Sequence, residues 1–295
     1  MSNYYKRNLA LAGIDFSKYS SKDLRALVRQ ILEAKIHGIS FSPYVEGQGP
    51  GTQLGEAQIR ERMDVILPYV RWVRSFSCTE GNELIPAIAA ENGLKTMVGV
   101  WLDDDKEHNE KELVNAIEVA KAGHANILAV GNEVLLRGDL TEDELIDYIN
   151  RAKQAVPGIE VGYVDAYFEF NDHPRVTEAC DVILANCYPF WEGCPADHAL
   201  LYMKEMYRRA QHAANGKKVI ISETGWPNVG TPEGGAVPSF DNAIKYFINT
   251  YQWAEEEGVE IFYFSSFDET WKVDAEGDVG AYWGIWDKDG NCKYD

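Results

Sequence analysis

Eight short apolar runs start about 32 residues apart along the chain, and this period constrains the fold more than any other feature. They occupy residues 38–42, 72–76, 96–100, 127–131, 159–163, 182–185, 219–222 and 259–264. Most of their residues are β-branched or aromatic, as suits strands buried on both faces of a parallel sheet. A strand with its crossover helix takes roughly 30 residues, so each step reads as one βα unit. Helical patterns fill the intervals, among them 200–214 and 242–257, and a further helix over 21–36 precedes the first strand. Thr141 with Glu144 forms a capping box, and Gly123, Gly158 and Gly216 stand where helices stop. The pattern predicts an α/β fold, a single (β/α)8 TIM barrel, with 1–295 as one domain. A doubly wound open sheet is the alternative.

At 295 residues the chain can bury a core without metal or disulfide staples. Its net charge of −19 makes nucleic acid a poor partner, because no excess of Lys or Arg exists to replace phosphate counterions. No stretch approaches the ~20 apolar residues that span a bilayer, so membrane insertion is not expected. The apolar stretch 8–13 is too short for a secretory leader's core of roughly 7–15 residues. A leader is absent or removed, and localisation stays open. Five cysteines without a CxxC pair read either as reduced buried thiols or, in an exported protein, as a Cys187–Cys194 bridge with three left over. The histidines show no ligand spacing, so neither metal nor other cofactor is expected. The run 47–51 is glycine-rich but lacks the Gly-Lys-Ser/Thr ending of a phosphate loop, and reads as a rim loop. Asp103, Asp104 and Asp105 read as a solvated acidic turn or a cation site at the rim. A monomer is expected.

In such a barrel, chemistry sits at the carboxyl ends of the strands. Several strands finish on polar or aromatic residues: Trp101, Asn132-Glu133, Asn186-Cys187-Tyr188, Glu223 and Asp268-Glu269. Tyr44 and Phe76 close the first two, and Trp191, Trp226 and Trp271 follow within a few residues of theirs. Flat aromatic faces beside carboxylates and amides suit sugar rings, whose CH faces stack while their hydroxyls hydrogen-bond. Glu133 and Glu223 follow apolar strands directly, on strands that face each other across the mouth. Two such carboxyl groups can cleave a glycosidic bond, one protonating the departing oxygen and the other attacking or activating water. The alternative is that each satisfies a helix terminus or an ion pair.

Val130-Gly131-Asn132-Glu133 and Ser222-Glu223-Thr224-Gly225-Trp226-Pro227 resemble the acid/base and nucleophile motifs of family 17 glycoside hydrolases. These are retaining β-1,3-glucanases and glucanosyltransferases of the Glu/Glu barrel clan. Similar too are Phe41-Ser42-Pro43-Tyr44, Val73-Arg74-Ser75-Phe76, Asn186-Cys187-Tyr188-Pro189-Phe190, Phe267-Asp268-Glu269-Thr270-Trp271-Lys272 and Gly280-Ala281-Tyr282-Trp283-Gly284. Thr270 stands where the family carries proline. The likeness spans about residues 9 to 290 and is nearer to microbial than to plant members. It implies Glu133 as acid/base and Glu223 as nucleophile. Asn132, Tyr188, Glu269 and Lys272 become the polar shell; with the aromatic strand ends, Tyr44, Arg74, Trp191, Trp226 and Trp283 are expected as further substrate contacts.

A retaining pair sits about 5–5.5 Å apart. Burial and the Glu223 charge should raise the Glu133 pKa, while donors such as Tyr188 keep Glu223 ionised. Asn132 would bond the sugar 2-hydroxyl, and Lys272 would pair with Glu269 to orient hydroxyls or form a plain surface ion pair. Three functions compete: a β-1,3-glucan hydrolase, a glucanosyltransferase using the same intermediate, and a silent glucan-binding barrel. The third has no need of both glutamates.

Overall fold

A computed structural model describes residues 13–294. The apolar stretch 8–13, expected to be too short for a leader's core, lies outside the described residues except for Gly13. Eight parallel strands close into a barrel in sequence order, each hydrogen-bonded to the next and β8 to β1. They are β1 (Ile36–Ser40), β2 (Val70–Arg74), β3 (Lys95–Val100), β4 (Ile127–Asn132), β5 (Glu160–Ala166), β6 (Val182–Asn186), β7 (Lys218–Thr224) and β8 (Ile261–Tyr263). Closure removes the open sheet from consideration.

One main helix follows each of the first seven strands: Glu56–Ile66, Ile85–Glu91, Lys106–Lys121, Glu142–Ala155, Pro174–Ala179, Ala199–Ala213 and Phe240–Glu257. The helix Ser21–Glu33 packs beside Phe240–Glu257 and completes the ring. It ends before residue 36 because Lys35 takes a left-handed φ and Ile36 is already paired in β1. Ser20 with Asp23 and Thr141 with Glu144 form complete capping boxes. Among the described residues, no helix is long and apolar enough to cross a membrane.

Alternation along the strands builds two apolar cores. Met97, Ile127, Ala129, Val164, Val182, Leu184, Ile220 and Phe262 fill the barrel. The other parity, with Val73, Val98, Leu128, Val161 and Ile183, packs against the helices. Gly38 has no Cβ because the Phe262 ring occupies that place. β1 and β2 begin two residues before their apolar runs, since Ile36 already pairs with Val70. β5 extends past its run through Asp165, whose polarity hides a buried strand position. All five cysteines are unbridged, with Cys78, Cys180 and Cys187 buried, so the Cys187–Cys194 bridge is not formed.

Candidate active site

The strand registers slip where β4 meets β5, β6 meets β7 and β7 meets β8, each time at the carboxyl end. Such irregularities re-aim side chains that strict alternation would send outward. On β7, Ser222 and Glu223 are consecutive, yet both bond to groups at the mouth. On β4, Gly131 has φ 84° and Glu133 φ 51°. A left-handed conformation costs a residue with a Cβ about 1–2 kcal/mol. Here it is held by the Glu133 amide, which donates to the Val164 carbonyl at 2.8 Å.

Glu223 is buried and its carboxylate is fully engaged. Arg74 Nη1 meets Oε1 at 2.5 Å, and the Tyr188 hydroxyl donates to Oε2 at 2.7 Å. Burial raises the Tyr188 pKa well above the usual phenol range, and the Glu223 charge adds to this, so the hydroxyl stays a donor. Arg74 also gives Nη2 to Asn132 Oδ1 at 2.6 Å. Among the described residues, Glu133 has neither cation nor hydroxyl at hydrogen-bonding distance, only Asn186 Nδ2, which donates to Oε1 at 2.8 Å. Burial raises the Glu133 pKa, and the Glu223 charge raises it further. The Asn186 bond and the positive charges of Arg137 and Arg74 oppose the rise. Two glutamates thus share one mouth in opposite settings, one favouring the acid and one supplying an anion's partners.

The Ser222 hydroxyl donates to Asn186 Oδ1 at 2.8 Å, which turns the amide NH₂ toward Glu133. Asn186 continues the inward parity of Val182 and Leu184, a placement that could have been taken from spacing. Lys272 and Glu269 meet at 2.6 Å, both buried, so they are no surface pair. Lys272 Nζ lies 3.9 Å from the Phe264 ring centroid, and the Trp271 indole donates to Glu269 at 3.1 Å. Glu276, which sequence reasoning missed, ends a short helical turn (Val273–Glu276) outside any apolar pattern. Burial pushes its carboxyl up to about 7 against the pull of Lys272, with Glu269, Glu223 and Glu133 adding to the rise.

Three of the expected substrate contacts, Arg74, Trp226 and Trp283, are buried. Arg74 is 1% exposed, its guanidinium spent on Glu223 and Asn132, because its β2 position points into the barrel beneath the mouth. Trp226 is also 1% exposed; it packs on Phe190 and Tyr246 and donates to the Val237 carbonyl, as part of the core behind the wall. Trp283 is buried too, among Tyr188, Phe190, Phe264 and Trp191. Trp191, 39% exposed, keeps an open face. Tyr44 stands edge-on to Trp271 at the mouth. Asp105 caps the helix Lys106–Lys121, and Asp103 accepts the Asp105 amide, which accounts for two of the three acidic residues. Among the described residues no three His, Cys, Asp or Glu gather to hold a metal.

A parallel eight-stranded barrel whose mouth joins two unlike glutamates defines the class of barrel glycoside hydrolases. Residues 38–284 match the BtgE/BtgC glycoside hydrolase domain, and the chain belongs to that family. It is 29% identical over 259 residues to a glucan 1,3-β-glucosidase of Candida albicans, covering 79% of this chain and 83% of the relative. A glucan 1,3-β-glucosidase of Saccharomyces cerevisiae is 28% identical over 270 residues, covering 83% and 86%. The crystal structure of a family 17 β-1,3-glucanosyltransferase from Rhizomucor miehei superimposes with a TM-score of 0.78 at 29% identity, covering 88% and 96%. An active-site mutant of that enzyme, in complex with laminaritriose, matches equally well.

Proposed function

We propose that this glycosidase cleaves β-1,3-glucan of the laminarin type with retention, Glu133 serving as acid/base and Glu223 as nucleophile. The observation that carries the reading is the contrast between the two carboxyl groups: Glu223 bound to Arg74 and Tyr188, Glu133 partly buried with a raised pKa. A Glu223 oxygen attacks the anomeric carbon as the glycosidic C–O bond breaks. The Glu133 proton passes to the departing oxygen, and the leaving sugar goes as an alcohol. Glu133, now anionic, takes a proton from water, whose oxygen attacks the same carbon and releases Glu223.

Asn132 has its carbonyl oxygen engaged by Arg74, so its amide NH₂ is what it offers the 2-hydroxyl. Tyr188, the Glu269–Lys272 pair and Glu276 supply further partners for sugar hydroxyls, and Tyr44 and Trp191 supply faces. One chain provides both carboxyl groups, which supports action as a monomer, as one catalytic unit, without a cofactor. A second reading, transfer to an acceptor sugar in place of water, is favoured by the open face of Trp191 and by the likeness to the Rhizomucor transferase. Mass analysis of products from β-1,3-gluco-oligosaccharides tests both. Shorter products alone mean hydrolysis, longer ones mean transfer, and binding without turnover would refute the enzymatic reading.

A further inference from the structure

Glu133 sits on a backbone pinned to β5 from both sides. Its own amide donates to the carbonyl of Val164. Two residues on, the amide of Leu135 donates to the Tyr163 hydroxyl at 2.9 Å. Leu135 lies in the single helical turn Val134–Arg137 that begins right after Glu133. Amides in a first helical turn have no partner within the helix, so this one depends on the tyrosine. The Tyr163 hydroxyl in turn donates to Asp165 Oδ2, and Asp165 Oδ1 accepts the amide of Ala166 at 2.7 Å. Tyr163 and Asp165 are two apart on β5 and share its helix-facing side, the ring of Tyr163 edge-on to Phe170.

We propose that Tyr163 and Asp165 are positioning residues for the acid/base. Asp165 fixes the Tyr163 hydroxyl, and the hydroxyl fixes the turn that holds Glu133 in its left-handed conformation. The inference rests on the role assigned to Glu133 above. Asp165 is 0% exposed, and its hydrogen bonds go to a phenol and an amide rather than to a cation. Burial pushes its carboxyl up to about 7, with the nearby charges of Glu133 and Glu169 adding to the rise and the bonds from Tyr163 and Ala166 opposing it. A buried carboxyl without a counter-charge is costly, and in this fold it anchors the phenol that holds the Leu135 amide in the turn after Glu133. Neither residue touches the mouth, so the effect on the reaction passes through the pose of Glu133. A misplacement of about 1 Å in a catalytic group costs roughly 100-fold.

Tyr163→Phe keeps the ring and removes the hydroxyl; Asp165→Asn keeps the size and leaves a weaker acceptor. Both are compared with the unaltered protein and with Glu133→Ala on two substrates. One is a β-1,3-gluco-oligosaccharide, whose leaving sugar needs protonation. The other is a dinitrophenyl β-glycoside of the same chain length, whose leaving group does not. For Tyr163→Phe, kcat on the oligosaccharide should fall roughly 10- to 100-fold, with less than about a threefold change for the dinitrophenyl glycosyl-enzyme's formation. KM should hold on the oligosaccharide. Asp165→Asn should show the same selectivity with a smaller loss, and it carries the test if Tyr163→Phe does not fold. An equal loss on both substrates, or no loss on either, overturns the proposal. If Glu133→Ala shows the selectivity and the two β5 variants do not, the positioning role alone is wrong. If Glu133→Ala also lacks it, the assignment of Glu133 is wrong.

Discussion

The ends of β4 and β7 carry the same residue type and treat it in opposite ways. At the end of β7, Glu223 lies against a buried arginine and a partly buried phenol, and every oxygen has a donor. At the end of β4, Glu133 has one amide donor and a distorted backbone, and its pKa is raised by burial and by the other carboxylate. A carboxyl group is thus assigned its chemistry by its neighbours. Those neighbours come from strands distant in sequence: Arg74 from β2, and Asn186 and Tyr188 from the end of β6 and just beyond it.

The largest effects come from removing either member of the pair. Glu223→Ala should lower turnover of every β-1,3-glucan substrate by more than roughly 10⁴-fold, because no covalent intermediate forms. Glu133→Ala should cost about 10²–10⁴-fold on glucan. Rates measured on laminarin-type oligosaccharides give both numbers, and equal, small losses would erase the contrast.

Arg74→Met strips the β7 carboxylate of its cation and also releases Asn132 Oδ1 on β4. It leaves Glu223 buried without its counter-charge, a change that typically costs about 3–5 kcal/mol. Denaturant unfolding should show that loss together with a fall in kcat. A variant as stable as the parent would mean that Arg74 does not support the carboxylate.

That role was not legible in the sequence, and the reason is physical. Arg74 lies inside the run 72–76 and reads as one more substrate contact. Only closure of the barrel shows that it lies beneath Glu223. Glu133 and Glu223 were legible because an ionisable residue directly after a buried strand has few uses other than a site. The strands were legible for the same reason in reverse, since buried parallel strands leave nothing but apolar residues. Asp165 breaks that pattern, so β5 was read short. Trp226 shares the neighbourhood of the motif residues, but sequence does not say which way a ring turns, and this one turns into the core. Glu276 follows no strand or helix pattern and left no signal.

The smallest expected effect sharpens the β4 side. The Asn186 bond lowers the Glu133 pKa, so Asn186→Ala should raise it. Glu133 must be protonated to act, and the basic limb of the kcat/KM profile should therefore move to higher pH. A shift to lower pH would mean that the amide stabilises the acid and not the anion.

The assignment of roles is tested most directly by azide rescue with product stereochemistry. Glu133→Ala, given a dinitrophenyl β-glycoside of a β-1,3-gluco-oligosaccharide, should accumulate the glycosyl-enzyme and yield the β-glycosyl azide through two inversions. Glu223→Ala should yield the α-glycosyl azide through one. Exchanged anomers would reverse the roles, and the absence of rescue in both variants, with activity retained, would place the site elsewhere.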